Sequence, residues 1–379
     1  MLVDWWTHNL HNGHVSMPQD LVTRPHGEAL RQPLVIGGMS IAPGEKRLID
    51  LPVSRLSNHT PVSLPVQVLH GSRPGPTMFI TAAIHGDELN GVEIIRRVLR
   101  LLSPGNLAGT LLCVPIVNAY GFIGRSRYLP DRRDLNRSFP GSANGSLAGR
   151  IANLLLTEVV QRSQLGIDLH TAAIHRVNLP QIRCEYVKHE RLRQLSAAFG
   201  APVVVDSPER SGSLRKSAAE MGVDVLVYEG GEGLRFDDFA IEAGVNGIAG
   251  VMLDIGMLEL PDGGEPLPKS PGSGPFFANA SKWVRAPEGG ILRTTKRIGA
   301  AVCEGEVIGH IANPYEDVDV AVHAPRRGIL IGRTTLPIVN LGDALFHIAW
   351  SAEHETRSAR DAPKSQEAAE PIMDEDEIL

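Results

Sequence analysis

Cysteine is nearly missing from this chain. Cys113, Cys184 and Cys303 are odd in number and far apart, which excludes a disulfide framework and the paired spacing of a zinc knuckle. No run of about 18 apolar residues occurs, so no membrane span is predicted. The first residues, Met1-Leu-Val-Asp-Trp-Trp6, lack a basic segment followed by an apolar one, and no secretory signal is read there. A cytoplasmic protein with free thiols is the expectation. Aromatic residues make up only 5%, and there is no excess of basic charge, the formal net being −6. A nucleic-acid partner is therefore excluded, and no membrane partner is expected.

Glycine and proline, by contrast, are plentiful, at 39 and 27 of 379 residues. They imply many tight turns and hence much β structure or many α/β loops. Length alone suggests two or three domains, and a chain of this size can bury a large core without covalent staples. The negative charge is uneven: Glu353 to Leu379 holds nine acidic and three basic residues. We read 351–379 as an acidic, disordered tail.

Apolar periodicity alternates between the strand and helix types. Strands are predicted over Arg47–Pro52, Pro65–Leu69, Thr77–Ile84, Thr110–Val117, Gly166–His170, Pro202–Asp206 and Val223–Tyr228. Helical spacing marks Leu89–Leu102, Leu147–Gln161, Arg191–Phe199, Ser213–Met221 and Phe239–Leu258. This order predicts an α/β protein with a mixed central sheet flanked by helices. Its ligands should gather at the carboxyl ends of the strands. A Pro/Gly-rich linker follows, and beyond it lies an internal repeat. Ala286-Pro287 with Gly290-Ile-Leu292 returns as Ala324-Pro325 with Gly328-Ile-Leu330, and Gly305-Glu306 with His310-Ile311 returns as Gly342-Asp343 with His347-Ile348. Two copies of short strands with glycine turns predict a small C-terminal all-β barrel-sandwich domain. The expected division is an N-terminal extension (1–45), an α/β domain (46–260), a linker (261–275), the β-domain (276–350) and the tail.

Several residues carry chemistry. His85 and Glu88 stand three apart just after a strand, so both can face one way; Glu88 equally suits the first turn of the following helix. Gly86 between them permits a close approach of backbone or ligand. In Asp168-Leu-His170 the period-two spacing puts both side chains on one strand face. Two imidazoles and a carboxylate suffice for a catalytic zinc ion with an open fourth position, and Asp168 can orient one of the histidines. Asn136-Arg137 lie in an arginine-rich loop with Arg125, Arg127, Arg132 and Arg133. A planar guanidinium fork beside an amide suits recognition of a carboxylate. Glu229 ends a strand before two glycines, where a carboxylate can act as a base; Glu232 is a competitor three residues on.

Taken in order, H-G-D-E (85–88), D-L-N-R-S-F-P-G (134–141), D-L-H-T (168–171) and E-G-G (229–231) resemble the succinylglutamate desuccinylase/aspartoacylase family, related in fold to the zinc carboxypeptidases. The resemblance covers roughly residues 45–350. It implies a zinc-dependent amidohydrolase that removes an acyl group from a small anionic N-acyl amino acid, with one Zn2+ per subunit. It further implies His85, Glu88 and His170 as zinc ligands, Glu229 as general base, and Asn136 and Arg137 as carboxylate binders. The family's arginine ahead of D-L-N-R matches either Arg127 or Arg133. Whether the chain forms a homo-oligomer stays open.

Three other readings share some of these residues. A carboxypeptidase-like peptidase acting on short peptides would use the same metal site and clamp. A non-haem iron oxygenase also uses two histidines and a carboxylate, but leaves Glu229 and Asn136-Arg137 without roles. The β-domain resembles biotinyl and lipoyl carriers, yet no lysine lies between Arg297 and Ala362 to bear a cofactor.

Overall fold

A computed structural model describes residues 31–259 and 274–351. The acidic tail beyond residue 351, the first thirty residues of the N-terminal extension and most of the linker lie outside the described residues.

Chain order begins with a hairpin, β1 (Leu34–Ile36) and β2 (Met39–Ile41), then two long antiparallel strands, β3 (Glu45–Arg55) and β4 (Pro61–His70). Next come β5 (Arg73–Ala82), β6 (Ala108–Val114), β7 (Leu165–His170), β8 (Arg176–Cys184), β9 (Val203–Asp206) and β10 (Asp224–Gly231). Parallel pairing joins β6 to β5, β5 to β7 and β7 to β10. β8 runs antiparallel to β10. The sheet is therefore mixed, with its parallel strands at the centre. All six residues of β7 are buried, as expected for a strand covered on both faces.

Side chains alternate between two cores. Met78 and Ile80 join Leu165 and Ile167 against the helices Asn90–Leu101, Glu190–Phe199 and Asp238–Asp254. Phe79 turns the other way, with Leu112 and Val114, against the helices Leu147–Glu158 and Leu214–Glu220. Among the described residues no helix is long and apolar enough to cross a membrane.

The strand β8 was not anticipated. Pro180 and the polar residues Asn178, Gln181 and Arg183 disguise it, since proline inside a run argues against a central strand. Here the amino half of β8 pairs with the C-terminal region and its carboxyl half with β9.

The C-terminal region contains β11 (Phe276–Ala278), β12 (Ala280–Arg285), β13 (Gly290–Thr294), β14 (Ala301–Val302), β15 (Val307–Ala312), β16 (Asp319–His323), β17 (Gly328–Thr334), β18 (Ile338–Val339) and β19 (Ala344–Trp350). Apart from β11, which lies parallel to β9, its strands pair antiparallel. The sequence repeat is visible as cross-pairing: β14 sits on β17 through Ala301↔Ile329, and β18 sits on β13 through Ile338↔Ile291. Each half lends a short strand to the other. The region is continuous with the central sheet, because β17 pairs with β8 at Gly332↔Asn178. Leu179, Val203 and Val205 pack there against Ala278, Ile331 and Ala349.

Candidate active site

β5 and β7 are parallel neighbours, with Thr81 opposite Asp168 and Ala82 opposite Leu169. Their carboxyl ends therefore open at the same level. β5 stops at Ala82, two residues earlier than its apolar run suggests. Ala83 then takes a left-handed φ of 49°, which turns the chain sharply into the loop carrying His85 and Glu88. Gly86 is required there, although not for a ligand. A Cβ on it would lie 1.9 Å from the backbone carbon of Gly121, so its bareness serves backbone packing.

The Glu88 carboxylate bridges the two imidazoles. Its Oε1 is 2.6 Å from His85 Nδ1 and its Oε2 is 2.8 Å from His170 Nδ1. Oε2 also accepts from Thr171 N at 3.1 Å. One ligand atom from each of the three residues falls within 4.8 Å of the others. The outward nitrogens face carboxylates. His170 Nε2 is 2.8 Å from Asp168 Oδ2, while Asp168 Oδ1 accepts from Thr81 Oγ1 at 2.7 Å. His85 Nε2 is 3.3 Å from Asp134 Oδ1, an ion-pair distance without an in-line hydrogen bond. Two Nδ1 atoms converging on a carboxylate, each ring backed by a second carboxylate, is a donor set that fits a borderline divalent ion such as zinc.

The electrostatics agree with that fit. Burial alone would raise the Glu88 carboxyl, but His85 and His170 outweigh it and hold it well below the ordinary range. Burial would likewise lower His170, yet Asp168 and Glu88 push it well above its ordinary value. His85 rises more modestly: burial and Arg127 oppose the pull of Glu88 and Asp134. The cluster is built to hold positive charge at its centre.

Asp134 opens the D-L-N-R motif, but nothing in the sequence marks it for a role of its own. Its Oδ2 accepts from Arg127 Nε and Nη2 at 3.1 and 2.9 Å, and its Oδ1 accepts from Asn136 N at 2.7 Å. One carboxylate thus ties His85, Arg127 and the Asn136-Arg137 turn together. Of the two candidate arginines, Arg127 is buried in the pocket with Nη1 3.3 Å from His85 Nδ1. Arg133 is placed elsewhere, its side chain 61% exposed beside Asp131, because the extra residues before Asp134 loop it outward.

Asn136 and Arg137 share a single 3-10 turn and line the pocket. Asn136 Oδ1 accepts from Leu214 N at 2.9 Å, which fixes the amide. Glu229 also lines the pocket. It is not at the strand end, since β10 continues to Gly231, but it lies opposite His170 in register. Glu232 is held outside, accepting from His175 N and Thr335 Oγ1. Arg183, Arg210 and Arg215 line the pocket as well. Arg183 came on the disguised strand, and the other two on a loop and helix with no motif to mark them.

Residues 74–255 match the catalytic domain of the succinylglutamate desuccinylase/aspartoacylase family. The chain belongs to that family. A relative is the N-alpha-acetyl-L-2,4-diaminobutyric acid deacetylase of Halomonas elongata. It is 28% identical over 298 residues, covering 76% of this chain and 86% of the relative. The fold is shared with a succinylglutamate desuccinylase/aspartoacylase of Rhodobacter sphaeroides (TM-score 0.70, 24% identity, 81% of this chain and 94% of that one). It is shared too with the product-bound ectoine utilization protein EutE (DoeB) of Ruegeria pomeroyi (TM-score 0.69, 22% identity, 81% and 95%). Named members are deacetylases and desuccinylases, so the family places this chain among hydrolases of N-acyl amino acids.

Proposed function

We propose that the protein is a zinc-dependent deacylase that hydrolyses the amide bond of an N-acyl amino acid. The observation that carries this reading is the meeting of His85, Glu88 and His170 within 4.8 Å in a pocket that also holds Asn136, Arg137 and Glu229. His85 and His170 through Nδ1, with a Glu88 oxygen, would hold one zinc ion per subunit; Asp168 and Asp134 would orient the two rings. A zinc ion held there supplies Lewis acidity, polarising the amide carbonyl and acidifying water.

The protein's own groups do the rest. Arg137 and Asn136 bind the substrate carboxylate and so set where the scissile carbonyl lies. Arg127, pinned by Asp134, keeps positive charge beside the cluster, where negative charge grows on the carbonyl oxygen. Glu229 takes a proton from the attacking water and passes it to the leaving nitrogen. Arg133 has no part in this. The deacetylase relative supports acyl-amino acids as substrates over short peptides. On the same reading residues 46–260 form the hydrolase unit and 276–350 a β unit appended to it.

Glu229→Gln should keep zinc stoichiometric while lowering kcat by about two to four orders of magnitude. Turnover of N-acetyl, N-formyl and N-succinyl amino acids, set against dipeptides, measures both claims. Near-normal kcat in the variant would remove Glu229 as the base, and a preference for dipeptides would make the enzyme a peptidase.

A further inference from the structure

We infer that Asn178 is a positioning residue for Glu229, and that the C-terminal β region is built into the active site through Gly332. This rests on Glu229 being the base. Asn178 is 3% exposed, and its Nδ2 donates to Glu229 Oε2 at 3.0 Å. The contact depends on an irregularity in the β8–β10 ladder. Glu229 stands opposite Gln181, whereas Gly231 stands opposite Asn178, so the register slips by one residue between them. Such a bulge re-aims a side chain. Gln181, the direct cross-strand neighbour, is fully buried and its amide bonds to no described residue. The carboxylate is held instead by the amide that the bulge delivers.

On its other side Asn178 faces β17, with Gly332 opposite in register. A Cβ on Gly332 would lie 2.9 Å from Asn178 Oδ1 and 3.3 Å from His347 Cβ. His347 cannot easily yield, since its ring is stacked on Trp283 at 4.8 Å between centroids and 15° between planes. The bare backbone at 332 therefore leaves the space that the Asn178 amide occupies. A glutamate has three side-chain torsions, and a base must reach its proton within hydrogen-bond distance. Fixing Oε2 reduces Glu229 to one useful orientation. Arg183 Nη1 lies 3.7 Å from Oε1 and adds positive charge beside the carboxylate's other oxygen.

The test is a double-mutant cycle on the full-length, zinc-loaded enzyme with an N-acyl amino acid found by the substrate panel. Asn178→Leu removes the donor at similar size. It should lower kcat about ten- to a hundredfold, the usual cost of a misplaced catalytic group, with KM shifted by no more than about threefold and the zinc content full. In a Glu229→Gln background the same change should alter kcat by less than about twofold, because a residue acting only through Glu229 has nothing left to position. An equal fractional loss in both backgrounds, or an unchanged kcat in the single variant, overturns the inference. If Glu229→Gln alone turns over normally, the base assignment fails instead, so the two failures are distinguishable. Should Asn178→Leu lose zinc or unfold, Gly332→Ala carries the test. It should lower kcat several-fold at full zinc, and an unchanged kcat there overturns the inference equally.

Discussion

At the scale of single residues the site is organised by three acids with different duties. Glu88 joins the two histidines, Asp168 backs His170, and Asp134 backs His85 while pinning Arg127 and the Asn136-Arg137 turn. The duties can be separated. Asp168→Asn keeps the shape but weakens the acceptor behind one imidazole, so zinc affinity should fall about ten- to a hundredfold with KM nearly unchanged in zinc-saturated enzyme. Asp134→Asn loosens the metal cluster and the carboxylate clamp together, so zinc affinity should fall and KM should rise as well. Competition with a chromogenic chelator and steady-state kinetics at saturating zinc would measure both; equal KM in the two variants would contradict the division. Asp168 was legible in the sequence because strand periodicity alone puts residues 168 and 170 on one face. The approach of Asp134 to His85 was not, since it depends on the path of a loop 49 residues further along the chain that no periodicity describes. The choice between Arg127 and Arg133 was illegible for the same reason.

Elements were readable where their pattern was local. The helix Asn90–Leu101 and strands β5, β7 and β10 follow their apolar spacing to within a few residues. The pseudo-symmetric pairing of β13 with β18 and β17 with β14 was foreshadowed by the repeat. β8 was hidden because its burial comes from a three-way junction with β10, β9 and β17, which lets proline and polar side chains sit in a buried strand. The helix after the ligand loop is also braced on its surface. Glu93 accepts from Arg96 Nε at 2.5 Å and from Arg97 Nε at 2.7 Å. The Arg96 bonds, with Arg97 adding to them against the cost of burial, hold the Glu93 carboxyl down at about 2, against an ordinary 4.5. A depressed acid stabilises the fold above its unfolded value and loses that contribution as pH falls through its folded one. Glu93→Gln should therefore cost about 1 kcal/mol or less at pH 7. The gap in Tm between variant and parent should narrow below about pH 4.5 and close towards pH 2. A gap that stays constant with pH would mean that the arginines contribute nothing through charge. Gly86→Ala should act on the neighbouring turn far more severely. Its Cβ would meet backbone at Gly121 rather than a movable side chain, and loss of bound zinc is the expected readout.

The whole molecule behaves as two differently built halves sharing one sheet. All the described helices lie within residues 90–254, and the described residues 274–351 form strands and no helix, yet β17 on β8 and the Leu179, Val205 and Ile331 cluster join the two parts. Metal removal tests whether they melt together. A ligand that binds only the folded state stabilises it by about 2.7 kcal/mol at a hundred times its Kd, which for a chain of this size is roughly 3 °C in Tm. The proposed metal ligands sit just beyond β5 and at the end of β7, so helical far-UV signal should fall in Tm by that amount after chelation and recover with added zinc. The tryptophans offer a separate view. Of the four, Trp283 and Trp350 lie in the C-terminal half and Trp5 and Trp6 near the amino terminus. In a Trp5→Phe, Trp6→Phe background, fluorescence reports the C-terminal half alone. If the shared sheet couples the halves, the fluorescence transition should shift with zinc by the same number of degrees as the helical one. A fluorescence transition indifferent to zinc, beside a helical one that moves, would show the β half unfolding on its own, and the junction at Gly332 would then be too weak to hold Asn178 in place.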